Sequence, residues 1–336
     1  MVATLKDVAA RAGVSVKTVS NVVNGYSFVT EDNRRRVQEA IDLLGYVPNI
    51  GARNLRKGRT GFLTLAVPEL ANPYFAELCG LVMNAAAEHD WTVLIEQTGG
   101  VRERELTVIN AAHRSLVDAI ILSPIGLQPT DLAEAAPGTP LVLLGERALS
   151  APVHHVAIDN VAAASAATRH LLDLGHRRIA ALGDQPGPHG TAALRLRGYQ
   201  SALQAAGLSV DPALIVPAAA YSRAEGTAAM RRLLSLADPP DAVFCFNDML
   251  AVGALSAARD RGLRVPEDVA VVGFDGVDEG NYSAPRLTTI APDKAAIAEA
   301  AVGLVRAALQ DGAGQPQDVV TPFTLITRES TRSFAH

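Results

Sequence analysis

Two groups of side chains in this 336-residue sequence have the types and spacing to do chemistry. The first lies in GVSVKTVSNVVNG, residues 13–25. Gly13 permits a sharp turn there, Ser15 can cap a short helix through about Val23, and Asn24-Gly25 end it. At helical spacing Val19, Val22 and Val23 share one face, while Val16, Lys17, Ser20 and Asn21 fall toward or beside the opposite one. That polar face is either a solvated surface or a face that reads something through an ammonium, a carboxamide and hydroxyls. The second group follows strand-like runs, in PELANPYF, LGERA, LGDQPG, FCFNDM and VVGFDGVD. Parallel strands would bring these segments to a common cleft at their carboxyl ends. Asn247, Asp248 and Asp275 then arrive there together, although Asp248 is equally well placed to cap the helix that follows it.

Other chemistries find no support. RKGRTG lacks P-loop spacing, no GxGxxG follows a strand, and no GxSxG elbow exists. His154-His155 precede an aliphatic run and the other histidines are scattered without metal-ligand spacing, so neither a metal nor a cofactor is expected. Cys79 and Cys245 sit far apart in apolar runs, which excludes a disulfide framework and fits a reducing cytoplasm. The first residues, MVATLKDVAARAG, carry Lys6, Asp7 and Arg11 and no long apolar stretch, and nothing later approaches membrane-spanning length. The expectation is a cytosolic protein without a membrane partner.

With 49% apolar and 19% charged residues the chain is a packed globular protein, and with only 4% aromatics its core is aliphatic. Its length calls for two or more units. Charge divides them. Residues 1–60 hold ten Lys and Arg against five acids, whereas the rest holds 20 against 30. A basic head on an acidic body points to a polyanion-binding module joined to one that binds something else.

The elements follow the same division. Residues 4–11 predict a helix opened by Thr4, with Asp7 three residues on. Together with the helix after Ser15 it makes a helix-turn-helix pattern, which an ordinary helical subdomain would also satisfy. A third helix opens at Thr30, carries Val37, Ala40, Ile41 and Leu44, and stops at Gly45. Arg34, Arg35 and Arg36 lie on it, at least one of them on a solvated face. Residues 46–61 read as a linker: Pro48 breaks what precedes, and Gly51 weakens any short helix by about 1 kcal/mol relative to Ala. From Phe62 onward short aliphatic strands alternate with helices in two successive series. The fold class is therefore α/β, a small all-α headpiece plus two similar lobes with parallel sheets.

TLKDVAARAGVSVKTVSNVVNG, VTEDNRRRVQEAIDLLGYVPN and ARNLRKGRTGFLTLAVPELANPYFAEL resemble the LacI/GalR family of bacterial transcription regulators. So do DNVAAASAATRHLLDLGHRRIA, LRLRGYQSAL, NDMLAVGAL and VAVVGFDGVDEGNYSAPRLTTI, so the resemblance covers essentially the whole chain in order. It implies a DNA-binding headpiece at 1–48, a hinge helix at 49–60, and a periplasmic-binding-protein-like core at 61–336. It also implies a homodimer (sometimes a tetramer) on a pseudo-palindromic double-stranded DNA operator, acting as a repressor under a small effector. The lobes are expected near 62–160 with 292–320 and near 161–290 with 321–330.

Residue by residue, the resemblance places Val16, Lys17 and Asn21 at base edges. There Lys donates to guanine, Asn pairs with adenine and Val meets a thymine methyl. Thr4, Ser15, Thr18, Ser20 and Asn24 are phosphate contacts or caps. In ARNLRK, Leu55 matches a leucine that wedges into the minor groove, and Arg53 lies beside it. The resemblance puts effector contacts at Asn72, Tyr74, Phe75, Arg195, Tyr221, Asn247, Asp248 and Asp275, a set able to clamp a sugar or a nucleoside-like ligand. Arg197 competes with Arg195 for the arginine role, and Gly145 stands where sugar-binding relatives often carry an acid. A solute-binding protein of a transport system shares such a core and is the alternative; an enzyme acting on sugars or nucleosides is a more distant one.

Overall fold

The computed structural model describes residues 3–23, 26–47, 59–110, 116–133, 139–145, 153–185, 190–311 and 314–331. The chain divides into two units, Met1–Thr60 and Gly61–His336.

The first unit carries α1 (Leu5–Ala12), α2 (Val16–Val23) and α3 (Glu31–Leu44). Short-range chemistry sets their ends. Thr4 donates its N–H and hydroxyl to the Asp7 carboxylate at 2.9 and 2.7 Å, and Asp7 N–H returns a bond to Thr4, closing a capping box. Those bonds from Thr4 hold the Asp7 pKa below its ordinary value. Gly13 ends α1 at φ 62°, in the left-handed region. Ser15 Oγ then accepts from Thr18 N–H at 3.1 Å and starts α2. Val8, Val19 and Val37 are fully buried and gather with Ala9, Ala12, Val22, Ala40 and Tyr46. Each such valine contributes about 1.5–3 kcal/mol of burial, which so small a unit needs.

The described residues of the second unit form two six-stranded sheets. The first consists of β1 (Phe62–Val67), β2 (Thr92–Gln97), β3 (Ala119–Leu122), β4 (Leu141–Leu144), β5 (His154–Ile158) and β11 (Asp318–Thr321). Their order is β11-β5-β4-β3-β1-β2 and every pairing is parallel. The second contains β6 (Ile179–Asp184), β7 (Ile215–Pro217), β8 (Ala242–Cys245), β9 (Ala270–Phe274), β10 (Thr288–Pro292) and β12 (Phe323–Ile326), ordered β12-β10-β9-β8-β6-β7. β12 is antiparallel to β10, unlike the parallel arrangement expected. Only Pro322 separates β11 from β12, so the chain enters the second sheet at its carboxyl edge and must run back down it.

Helices cover these sheets: α4 (Pro73–Ala87), α5 (Arg102–Ile109), α6 (Pro129–Ala133), α7 (Asn160–Asp173), α8 (Thr191–Ala205), α9 (Arg223–Leu233), α10 (Asp248–Asp260) and α11 (Lys294–Asp311). Being covered, the central strands β3, β4, β8 and β9 are buried at every residue. The chain passes between the lobes after β5, after β10 and at Pro322, so both sheets direct their carboxyl ends to the same region. Among the described residues no helix is long and apolar enough to cross a membrane.

Candidate functional site

In the first unit α2 presents an exposed Val16, 42% accessible, with exposed Ser15 and Lys17 and half-buried Thr18, Ser20 and Asn21. The valines pack inward because Val19 and Val22 are one turn apart on the other side. Ser15 and Thr18 hydroxyls bond each other at 2.9 Å, and Thr4 is engaged in its capping box, so all three carry structural duties. Arg34 donates to the Tyr26 carbonyl at 3.0 Å and Arg36 to that of Gly13 at 3.3 Å. Arg35 pairs with Asp32 at 2.7 Å, with both side chains well exposed. Asn24, Arg53, Leu55 and hinge residues 49–58 lie outside the described residues.

In the second unit a cavity of about 890 Å³ opens where the two sheets bring their strand ends together. Asn72, Tyr74, Phe75, Arg195, Tyr221, Asn247 and Asp275 are on its wall. Asn72 caps α4, its Oδ1 accepting from Tyr74 N–H at 3.1 Å, and this turn sets Tyr74 edge-on to Phe75 with ring centres 5.2 Å apart. Arg195 is buried in α8, whereas Arg197 is exposed. Its Nε donates to Asn160 Oδ1 at 2.8 Å and its Nη1 to the Phe246 carbonyl. Its Nη2 is 3.8 Å from Asp275 Oδ1, and the guanidinium lies 3.5 Å over the Phe274 ring. Asn247 Oδ1 accepts from Leu250 N–H at 2.8 Å and caps α10. Its Nδ2 is buried with no hydrogen-bond partner among the described residues. A buried, unsatisfied amide donor on a cavity wall is an uncompensated cost until something accepts from it.

Asp248 is the departure. Its side chain is fully buried behind that wall, taking Thr289 Oγ1–H at 2.6 Å and Val277 N–H at 2.9 Å. Burial, then the neighbouring Asp275 charge, push its pKa up to about 8. The residue that follows Asn247 points the opposite way because the helix starts between them. Two wall residues, Gln97 and Ser123, lie outside the segments expected there, whereas Gln185 comes from the expected LGDQPG. Each stands at or just beyond a strand end, which was the available signal. Asn160, which aims Arg195, had none. His154 is buried beside β11 and its pKa is lowered by that burial, a structural role. No cluster of His, Cys, Asp and Glu suited to a metal occurs among the described residues.

A small helix-turn-helix unit joined to a two-lobed α/β core with a ligand-sized cleft defines a class: DNA-binding proteins governed by a small molecule. Residues 4–49 match the lacI family of bacterial regulatory proteins, and residues 168–331 match the periplasmic binding protein-like domain. The HTH-type transcriptional repressor CytR of Escherichia coli (strain K12) is 34% identical over 333 residues, covering 98% of this chain and 97% of that protein. The transcriptional regulator CelR in complex with cellobiose is 34% identical at a TM-score of 0.71, covering 98% of this chain and 99% of that one. The Lac repressor dimer bound to operator and the anti-inducer ONPF is 26% identical at a TM-score of 0.86, covering 99% of this chain and all of that one. The chain belongs to the lacI family of bacterial regulatory proteins. It is a ligand-responsive, DNA-binding transcriptional repressor rather than a transport receptor.

Proposed function

We propose that the chain acts in the cytoplasm as a homodimer on a pseudo-palindromic operator, with residues 1–48 binding DNA, 49–60 forming the hinge and 61–336 binding effector and dimerising. Val16, Lys17 and Asn21 read bases, and Thr4, Ser15, Thr18, Ser20, Asn24 and Arg53 hold the backbone while Leu55 wedges the minor groove. The cavity binds without turnover. Self-association is supported by β2, an edge strand that leaves Leu94 and Ile95 39% and 37% exposed. Tyr282, 81% exposed, adds an apolar surface of the kind a two-fold interface buries.

The observation that carries the effector reading is the meeting on one cavity wall of the Arg195–Asp275 pair, the Asn247 Nδ2 donor, unpartnered among the described residues, and three aromatic rings. It supports an uncharged effector. Among the described wall residues the charged ones are Arg195, Asp275 and Glu69, so an added anion meets a surplus of negative charge from them. A sugar or a nucleoside- or purine-like molecule fits: Tyr74, Phe75 and Tyr221 cover C–H or base faces and Asn247 Nδ2 donates to an oxygen or ring nitrogen. The cellobiose complex of the relative supports the sugar arm.

Selection of duplexes from a random pool by the full chain, followed by anisotropy titration, tests the DNA half; recovery of no enriched pseudo-palindrome would refute it. Thermal shift with cellobiose, cytidine and hypoxanthine tests the cavity. A ligand at 100 times its Kd should add about 2.7 kcal/mol. Tighter binding of a phosphorylated sugar than of its neutral parent would rule out the uncharged effector.

A further inference from the structure

One ammonium group joins three elements from both lobes. Lys294 Nζ lies 2.8 Å from Glu77 Oε2 and donates to the carbonyls of Asp275 and Gly276 at 2.9 and 2.8 Å. Its three donors thus have three acceptors. The Lys294 side chain is only 11% exposed. Glu77 also accepts Asp278 N–H on Oε1 at 3.0 Å. Glu77 and Lys294 belong to α4 and α11, which pack on each other and against the first sheet. Residues 275–278 follow β9 of the second sheet.

Asp275 gives this contact its meaning. Its φ is 117°, a conformation that a residue with a β-carbon rarely adopts and that persists only where its surroundings hold it. Its N–H is held by the Ile290 carbonyl at 2.8 Å, and its own carbonyl by Lys294. Next along, Gly276 N–H donates to Thr289 Oγ1 at 3.3 Å and Val277 N–H to Asp248. The turn so fixed directs the Asp275 carboxylate toward Arg195 on the cavity wall.

We propose that Lys294 and Glu77 are positioning residues of the effector site, an inference that rests on reading the cavity as that site. Lys294 sets the aim of Asp275, and Glu77 ties that aim to the first lobe. The orientation of a ligand-facing carboxylate and the spacing of the lobes are therefore governed by one shared ion pair. A change in lobe spacing must carry the 275–278 turn with it or break the clasp.

The test compares Lys294→Met and Glu77→Leu in the full chain by two readouts that need no ligand. Nitroxides on Arg306→Cys in α11 and Arg232→Cys in α9, both exposed positions, report lobe spacing by pulsed electron resonance, with labelled chain diluted into unlabelled chain. Native Cys79 and Cys245 are buried and stay unlabelled. Both variants should broaden the distance distribution. Amide exchange then separates their roles: Lys294→Met should speed exchange at Gly276 and Val277 by about tenfold or more. Glu77→Leu should do so at Asp278 while leaving Gly276 and Val277 protected. Unchanged distances in both variants overturn the proposal, and so does exchange that rises evenly across the second unit. Failure of wild-type protein to respond to cellobiose, cytidine and hypoxanthine bears on the effector reading alone, because neither readout depends on it.

Discussion

Lys17 is exposed and Asn21 half-buried on a helix whose stability comes from the opposite face, so their replacement should separate recognition from folding. The Lys17→Ala/Asn21→Ala double variant should melt within about 0.5 kcal/mol of wild type. It should lose about 1–3 kcal/mol of base discrimination per contact, read as anisotropy on matched and mismatched operators. Asp248 makes a prediction of a different kind. Its pKa is about 8 in the folded chain, against about 4 for an unstructured aspartate. Between those values the unfolded chain has released the proton that the folded chain keeps, so stability falls as pH rises across this window. Asp248→Asn keeps an acceptor for Val277 N–H and offers a donor to Thr289. The variant should therefore gain on wild type as pH rises from about 5 to about 8, as urea unfolding at several pH values would show. A constant difference would mean that Asp248 is ionised throughout.

At the scale of elements, α9 and α10 cross closely enough that a β-carbon on Gly253 would sit 2.1 Å from the Arg223 carbonyl oxygen. That contact is with backbone, which cannot rotate away. Gly253→Ala should cost about 1–3 kcal/mol or more in thermal unfolding of the second unit, although alanine is the better helix former. Unaltered melting would show that the two helices part easily. The headpiece behaves oppositely. Its ends depend on near neighbours, Thr4 with Asp7, Ser15 with Thr18, and Gly13 at positive φ, so each is a local device. Such devices are readable from adjacent letters, and the helix starts expected at Thr4, Ser15 and Thr30 coincide with observed caps. Helix-on-helix crossings are not readable in that way, because Gly253 and Arg223 are neighbours only after both elements have docked.

For the whole molecule, dimerisation should depend on the edge strand of the first sheet. Ile95→Lys should shift sedimentation toward monomer and weaken operator binding together, while leaving the melting of the individual chain little changed; a dimer that survives would move the interface elsewhere. Much of the architecture was legible beforehand. Alternating aliphatic and helical segments announce parallel sheets, the strand-end rule gathers Asn247 and Asp275, and the motif order announces the family. What the letters could not decide was direction and partnership. Asn247 and Asp248 are adjacent, yet one faces the cavity and the other is sealed behind it, because the first turn of α10 sends successive side chains to different sides. β12 runs antiparallel because of where β11 ends, and Arg195 is aimed by Asn160 from 35 positions away. Lys294 and Glu77 stand more than 200 residues apart and meet only because α11 returns to pack on α4; the turn they hold comes from the other lobe. Local hydrogen bonding and hydrophobic periodicity act within a few residues and so are written in the sequence. Burial, charge pairing and the aim of a side chain depend on groups brought together by folding, and these the tertiary structure alone decided.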